Sequence, residues 1–294
     1  MRRVFQAKAK IVYSKRIKDS YFKSILSSPR IALGALPGQF VNIKVSECNE
    51  LLLRRPFSIH RVNGPNIEIL YEVLGKGTQI LAQKKPGEYL DIIGPLGNGF
   101  DALCAKRSTL SILVAGGMGV APLIFLAEKL AEIKNQKSSP FAKASGDSPS
   151  KLEERRRTKI KIIVLIGAKT KKQILCEQEF KKLGCEVKIA TDDGSRGFKG
   201  KVTDLLNDFL QANRQTGKQA NYIYACGPRP MLKEIANISQ KHNISAQISL
   251  EEHMACGIGA CLGCVVNTKN GYQRVCKEGP VFAADEIVWE DKDG

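Results

Sequence analysis

The sequence predicts a multidomain protein: an antiparallel β-barrel, an α/β doubly wound domain, and a small C-terminal domain built around cysteines. Three observations lead there. Residues 1–102 carry short strand-like runs cut by Pro and Gly turns; residues 103–245 alternate strand and helix patterns; residues 246–294 hold four of the nine cysteines.

In the first stretch the runs are Lys8–Tyr13, Phe40–Val45, Phe57–Val62, Ile67–Val73 and Tyr89–Ile93. They are rich in β-branched and aromatic residues, and Pro37-Gly38, Asn63-Gly64-Pro65, Pro86-Gly87 and Gly94-Pro95 separate several of them. Strands at this spacing suggest a small barrel, with a short helix over Gly77–Gln83. Further on, Ser111–Ala115, Lys161–Ile166, Glu186–Ala190 and Tyr222–Cys226 read as buried strands. Helical patterns lie between and after them, at Leu123–Lys134, Cys176–Leu183, Thr203–Gln211 and Met231–His242. That alternation calls for a parallel sheet with crossover helices. The last stretch shows little helix signal and ends in a strand-like Glu286–Trp289.

Composition narrows the classes. The 294 residues are 43% hydrophobic and 26% charged, which fits a soluble globular chain and excludes wholesale disorder. The net charge of +17 suits nucleic acid, phosphorylated cofactors or an acidic partner. Residues 134–161 alone hold nine basic and three acidic residues. Within them, 135–159 is polar and aperiodic, and is expected to be a solvated, disordered insertion; it lacks the aromatic platform that nucleic-acid binding would want. Residues 108–127 carry no charge, but Gly116, Gly117, Gly119 and Pro122 interrupt them. They read as a strand, a turn and a helix opening near Pro122, not as a membrane span. Lys8 and Lys10 arrive before any apolar leader core forms. An odd cysteine count in a chain of this size does not make a disulfide scaffold. A reducing, cytoplasmic setting is expected, where clustered cysteines bind metal or do redox work.

The cysteine pattern is Cys256, Cys261, Cys264, then Cys276 after eleven residues. C-x4-C-x2-C is the plant-type [2Fe–2S] spacing, in which soft thiolates surround a compact core. Gly257, Gly259 and Gly263 would let the loop turn its N–H groups toward the sulfides. A zinc site is the competing reading, although zinc prefers paired C-x2-C knuckles and only Cys261/Cys264 make one. Unliganded cysteines are the third. His253 is either a ligand or a polar surface residue. The short spacing to Cys276 points to a small dedicated domain.

Two further signals concern nucleotides. Arg54-Arg55-Pro56-Phe57-Ser58 opens a barrel strand. An arginine for pyrophosphate, a ring beside a proline, and a hydroxyl suit a flavin; Phe57 is otherwise simply core. Gly75-Lys76-Gly77-Thr78 follows where a helix would begin, and helix N-terminal amides suit the same pyrophosphate. Gly116, Gly117 and Gly119 lie between strand and helix, where small residues admit a dinucleotide, though without the G-x-G-x-x-G order. A tight turn with no ligand is the alternative. Cys226-Gly227-Pro228 ends the last parallel strand at its carboxyl edge; Cys226 is either a cleft residue or a buried structural one.

In this order the R-P-F-S, G-x-G-T, G-P-L-G, G-G-M-G-V-A-P and C-G-P segments resemble the ferredoxin–NADP reductase family. With Ser249–Cys264 and Val275–Phe282 added, the chain resembles the electron-transfer subunits of type B dihydroorotate dehydrogenase, over nearly its whole length except 135–159. The resemblance implies a flavin barrel (1–102), a nicotinamide domain (103–245) and a [2Fe–2S] domain (246–294). It implies FAD contacts at Arg55, Pro56, Phe57, Ser58, Leu70, Tyr71 and Glu72, a phosphate turn at Gly77 and Thr78, and cluster ligands at the four cysteines. It further implies NAD as acceptor and an FMN-containing catalytic dihydroorotate dehydrogenase partner in a 2+2 heterotetramer serving pyrimidine biosynthesis. No nucleic acid and no membrane are implied. No catalytic side chain is expected, because the cofactors do the chemistry. A sister subunit of a sulfhydrogenase or of an NAD(P)H:ferredoxin oxidoreductase is the nearest rival, and a zinc-stapled nucleic-acid module the remote one. Lys169, Lys171 and Lys172 either attract a 2′-phosphate or form a solvated face.

Overall fold

The computed structural model describes residues 3–46, 51–107, 110–135, 160–215, 220 and 222–289. Residues 136–159, nearly all of the expected insertion, lie outside these; Asn135 closes a helix.

The first domain is a closed barrel of β1 (Phe5–Lys18), β2 (Tyr21–Ser27), β3 (Phe40–Lys44), β4 (Arg55–Asn63), β5 (Asn66–Glu72) and β6 (Tyr89–Leu96), ordered β1-β2-β5-β4-β3-β6. Alternate residues point inward, so Ile11, Leu26, Ile43, Ile59, Ile67, Ile69 and Ile92 form one core. Two elements escape the sequence pattern. β2 places Ser24, 1% exposed, on its buried side, where an apolar residue would have marked the strand; its hydroxyl pairs with Ser14 at 3.0 Å. Helix α1 (Pro29–Gly34) is too short to show a period. Helix α2 (Lys76–Gln83) matches expectation.

The second domain contains β7 (Leu110–Gly116), α3 (Val120–Asn135), β8 (Lys161–Ala168), α4 (Glu177–Lys182), β9 (Glu186–Thr191), β10 (Phe198–Lys199), α5 (Val202–Gln215), β11 (Tyr222–Cys226) and α6 (Arg229–His242). Helix α3 begins two residues before Pro122, because the Gly117–Gly119 3-10 turn runs straight into it. Strand period and helix faces agree. Ile112, Val114, Ile163 and Leu165 meet Leu206, Leu210, Leu232 and Ile235 of α5 and α6 on one face. Leu113, Ala115 and Val164 meet Leu123, Ile124 and Phe180 of α3 and α4 on the other.

The tail does not stay apart from this sheet. β12 (Ser245–Ser249) pairs parallel with β11, and β15 (Val281–Ala283) pairs antiparallel with β12. The sheet thus has seven strands, β10-β9-β8-β7-β11-β12-β15. The expected boundary at 245/246 falls inside β12, because Ala246 and Ile248 are buried only by joining the sheet. The strand expected at Glu286–Trp289 reduces to one bridge, Ile287 to Thr268. Between them stands the hairpin of β13 (Val265–Thr268) and β14 (Gly271–Arg274).

Barrel and sheet are tied by a polar network. Lys23 reaches Glu179 at 3.1 Å; Arg61 reaches Glu128 at 2.5 Å and Glu179 at 3.3 Å. Buried His60 meets the Ala121 carbonyl through Nδ1 at 2.9 Å and Glu179 through Nε2 at 3.5 Å. Cys176 joins His60 and Glu179 within 4.8 Å. Lys23 and Arg61 pair with that carboxylate, and burial pushes the Cys176 thiol far up, so the trio sits inside an ion-pair network. Burial alone would raise the Glu179 carboxyl; the His60 and Lys23 partners outweigh it and hold it at about 2. A carboxyl that titrates lower when folded stabilises fully above about pH 4.5 and loses that stabilisation as the pH falls toward 2. Glu179→Gln should therefore cost about 2–3 kcal/mol at pH 7 and about half that at pH 3, measured by urea denaturation at both.

Candidate redox site

Strand β4 alternates its residues between core and cleft. Phe57 is 8% exposed and packs edge-on against buried Tyr71, ring centroids 5.5 Å apart. Both side chains belong to the barrel core, so these two positions offer a ligand backbone only; the expected flavin contact through the Phe57 ring is not available. Leu70 points the other way, into the apolar seam with Tyr21, Phe100 and Val120. Pro56 and Ser58 face the cleft. Of the paired arginines, Arg54 is anchored to β6 through Asp91, at 2.6 Å to the carboxylate and 2.8 Å to the carbonyl. Arg55 instead lies over the start of α2, where a Cβ on Gly77 would come 3.2 Å from its Nε. Thr78 shapes that turn: its hydroxyl accepts from the Leu74 and Gly75 amides at 3.0 and 3.2 Å. A guanidinium beside a helix N-terminus sets positive against positive, which an anionic pyrophosphate between them would relieve.

The glycine turn and the Cys-Gly-Pro turn meet at the carboxyl ends of β7 and β11, where the sheet order reverses from β8 on one side to β11 on the other. A Cβ on Gly119 would lie 1.9 Å from the Cys226 carbonyl oxygen. One on Gly116 would meet Met231 and Pro228 at 2.6 and 2.8 Å. Gly119 and Gly116 are thus glycines because two loops interlock. Gly117 differs: φ is +54° and its Cβ direction is open, as close backbone approach by a ligand requires. Cys226 is a half-buried thiol pushed up to about 12 by burial, so it is neutral.

Two large clefts flank this junction. One, of about 840 Å³, runs between Arg55 and Pro56 of the barrel, Gly227 and Pro228 of the sheet, and Ala255 and Gly263 of the cysteine loop. A smaller cleft sharing Pro56, Gly227 and Pro228 continues it past Ser58 to Gly116–Gly119. The other large cleft, of about 730 Å³, lies along the carboxyl ends of β7 and β8 and includes Glu72, Gly117, Lys169 and Asp192. Lys171 and Lys172 sit exposed in a short turn beside it.

The cysteine loop sets its thiols side by side in pairs, Cys256 with Cys261 and Cys264 with Cys276. Amides point at their sulfurs: Gly259 to Cys276 at 3.1 Å, Ala260 to Cys256 at 3.3 Å and Cys276 to Cys264 at 3.4 Å. Burial raises the Cys256 thiol, but amide donation from Ile258, Cys261 and Ala260 outweighs it and brings the group to about 6. Gly257 and Gly259 have φ of +68° and +85°, as expected; the third left-handed residue is Leu262, and Gly263 is not one. Cys264 and Cys276 are buried, Cys256 is half-buried and Cys261 is exposed. Arg274 locks the far side, donating to the Gly259 carbonyl at 2.6 Å and pairing with Glu278 at 2.5 Å. Two neighbouring pairs of thiols with amides aimed at sulfur suit an anionic iron–sulfur core. His253 lies exposed on the cleft rim. Sequence reasoning missed Asn42, Asn98 and Arg274, which no local motif marks.

Comparison with known proteins follows the same division. Residues 8–100 match the oxidoreductase FAD-binding domain and residues 113–237 the oxidoreductase NAD-binding domain. Residues 251–288 match the iron-sulfur cluster binding domain of dihydroorotate dehydrogenase B. The dihydroorotate dehydrogenase B (NAD(+)) electron transfer subunit of Desulforamulus reducens is 40% identical, over 99% of this chain and 100% of that one. The chain belongs to this family. Another member, from Geobacillus thermodenitrificans, is 37% identical over 95% of this chain and 96% of its own. Among solved structures, that of an NADH-dependent reduced ferredoxin-NADP oxidoreductase superposes with a TM-score of 0.75 at 27% identity, over 96% of this chain and 90% of that one. The electron transfer subunit fold therefore comprises FAD-, NAD- and iron–sulfur-binding domains, with no described helix long and apolar enough to cross a membrane.

Proposed function

We propose that this chain takes electrons from dihydroorotate oxidation in a separate FMN-containing subunit and delivers them to NAD+, in a cytoplasmic 2+2 complex serving pyrimidine biosynthesis. The net reaction is dihydroorotate + NAD+ → orotate + NADH + H+. The observation that carries the reading is the convergence of the flavin motif, the Cys-Gly-Pro turn and the cysteine loop on one cleft. A flavin converts between the single electrons of a [2Fe–2S] cluster and the hydride of a nicotinamide, which is why it belongs between them.

The residues divide the work. Arg55 and the first turn of α2, with Gly77 and Thr78, hold the pyrophosphate of FAD. Pro56 and Ser58 border its ring, with the backbone at Phe57, Leu70 and Tyr71 behind. Gly117 and the surface formed by Gly116, Gly119, Cys226, Gly227 and Pro228 receive the nicotinamide, and Glu72 bounds the cleft for the rest of the dinucleotide. Cys256, Cys261, Cys264 and Cys276 hold the cluster. Arg55→Gln should weaken FAD binding by about 10–100-fold, read as flavin released on dilution, since a charge-assisted contact to phosphate contributes about 1.5–3 kcal/mol.

Co-expression with the FMN subunit and assay of dihydroorotate-dependent NAD+ reduction tests the assignment. Turnover that needs both chains supports it. The rival reading has the 27% likeness to the ferredoxin-NADP oxidoreductase behind it, and reduced ferredoxin as sole effective donor would establish it instead.

A further inference from the structure

Two asparagines of the barrel touch the cysteine segments, and neither belongs to any motif. Asn42, on β3, is 0% exposed and stands opposite Pro56 of β4 in the strand register. Its Nδ2 donates to the Cys256 carbonyl at 3.3 Å. A carbonyl can only accept, which fixes the orientation of the amide. Gly257 rests directly on that amide: a Cβ there would come 2.3 Å from Asn42 Nδ2. Asn98, in the loop after β6, donates from Nδ2 to the Glu278 carbonyl at 2.8 Å and from its backbone amide to the Gly279 carbonyl at 2.5 Å. Thus the Cys256 side and the Cys276 side of the loop are each seated on the flavin barrel.

Asn42 is costly where it stands. Its buried Oδ1 has no donor among the described residues, and an unsatisfied buried acceptor costs about 1–3 kcal/mol. An apolar residue of similar volume would avoid that cost, so stability alone does not account for an amide here. What the amide does is join a cluster ligand to the strand pair that carries Arg55–Ser58, through one hydrogen bond and one step of the β3–β4 ladder.

We propose that Asn42 is a positioning residue for electron exchange: it holds the Cys256 edge of the cluster at a fixed separation from the flavin strand, with Asn98 fixing the Cys276 edge. This rests on the function proposed above and adds the residues that set the distance. Electron exchange between two fixed centres falls steeply with separation, so a loop freed from the barrel slows exchange while both groups stay bound.

The test uses the full chain, prepared without oxygen and mixed rapidly with NADH. Flavin bleaching gives a first phase, and cluster reduction, followed by freeze-quench EPR, a second. Asn42→Leu keeps the side-chain volume and removes the donor. It should leave iron, FAD and the first phase as in the wild type, slow the second phase at least tenfold, and shift the EPR g-values or midpoint potential. Asn42→Ser, which keeps a donor, should recover part of the rate. A wild-type second phase in iron-replete Asn42→Leu, or equal slowing by Leu and Ser, overturns the proposal. Where Asn42→Leu sheds its iron, Asn98→Ala decides from the Cys276 side: a slowed second phase supports the proposal, and an unchanged one overturns it. A wild-type chain that shows flavin bleaching and no second phase refutes the electron path itself, which is a different failure.

Discussion

Replacing Cys264 with serine should empty the cluster site and abolish partner-linked turnover while NADH still reduces a dye through the flavin. Cys264 is 2% exposed, and its sulfur accepts from the Cys276 amide at 3.4 Å. It sits at the base of the β13–β14 hairpin, where its carbonyl takes the Val275 amide at 2.9 Å. Serine would keep that backbone and lose the soft thiolate that iron prefers. Iron should fall from about two per chain to near zero. Dihydroorotate-dependent NAD+ reduction should drop by more than the ~10–100-fold typical of changes beyond the ligand shell. Arg55, α2 and the glycine turn lie on other elements, so flavin content and NADH–dye activity should remain. Equal loss of both activities would mean that electrons reach the dye through the cysteine domain, and the proposed order would be wrong.

The second large effect concerns the two-loop junction. Gly119→Ala would force a methyl to 1.9 Å from one backbone atom of Cys226 and 2.4 Å from the next. Backbone cannot rotate aside as a side chain can, so the loops must part. The cost should reach or exceed the ~1–3 kcal/mol of ordinary overpacking, and the switch-point crevice should lose its shape. NADH oxidation is expected to fall at least about 100-fold, equivalent to some 2.7 kcal/mol in the transition state. Gly117→Ala is the control. With its Cβ direction open, it should cost only about 1 kcal/mol for the left-handed backbone. Its effect should appear in the KM for NADH, because the added methyl projects toward the ligand and not the protein. Steady-state kinetics with urea melts on both variants would separate these outcomes.

What was legible in the sequence was what is local. The four cysteines and the glycines at 257 and 259 announce a cluster loop because ligand spacing and left-handed turns are properties of a few consecutive residues. The alternation of β7, β8, β9 and β11 with helices is equally plain, since β7, β8 and β11 are buried on both faces through most of their length. The rest needed partners far along the chain. Asn42 meets Cys256 across 214 positions, and no pattern near either announces it. β12 and β15 look like pieces of the tail until β11 offers an edge to β12, and β12 one to β15. Phe57 shows the limit of a motif: the motif marks the strand, but the alternation turns the Phe57 ring into the barrel and gives the cleft to Pro56 and Ser58.

The most direct measurement is an oxygen-free NADH titration of the purified chain, followed by visible absorbance and EPR with iron, zinc and flavin analysis of the same sample. One FAD and about two irons per chain, bleaching of the flavin, and the appearance of a reduced [2Fe–2S] signal are the predicted result. A colourless chain that carries zinc and releases no flavin would contradict the account at its root.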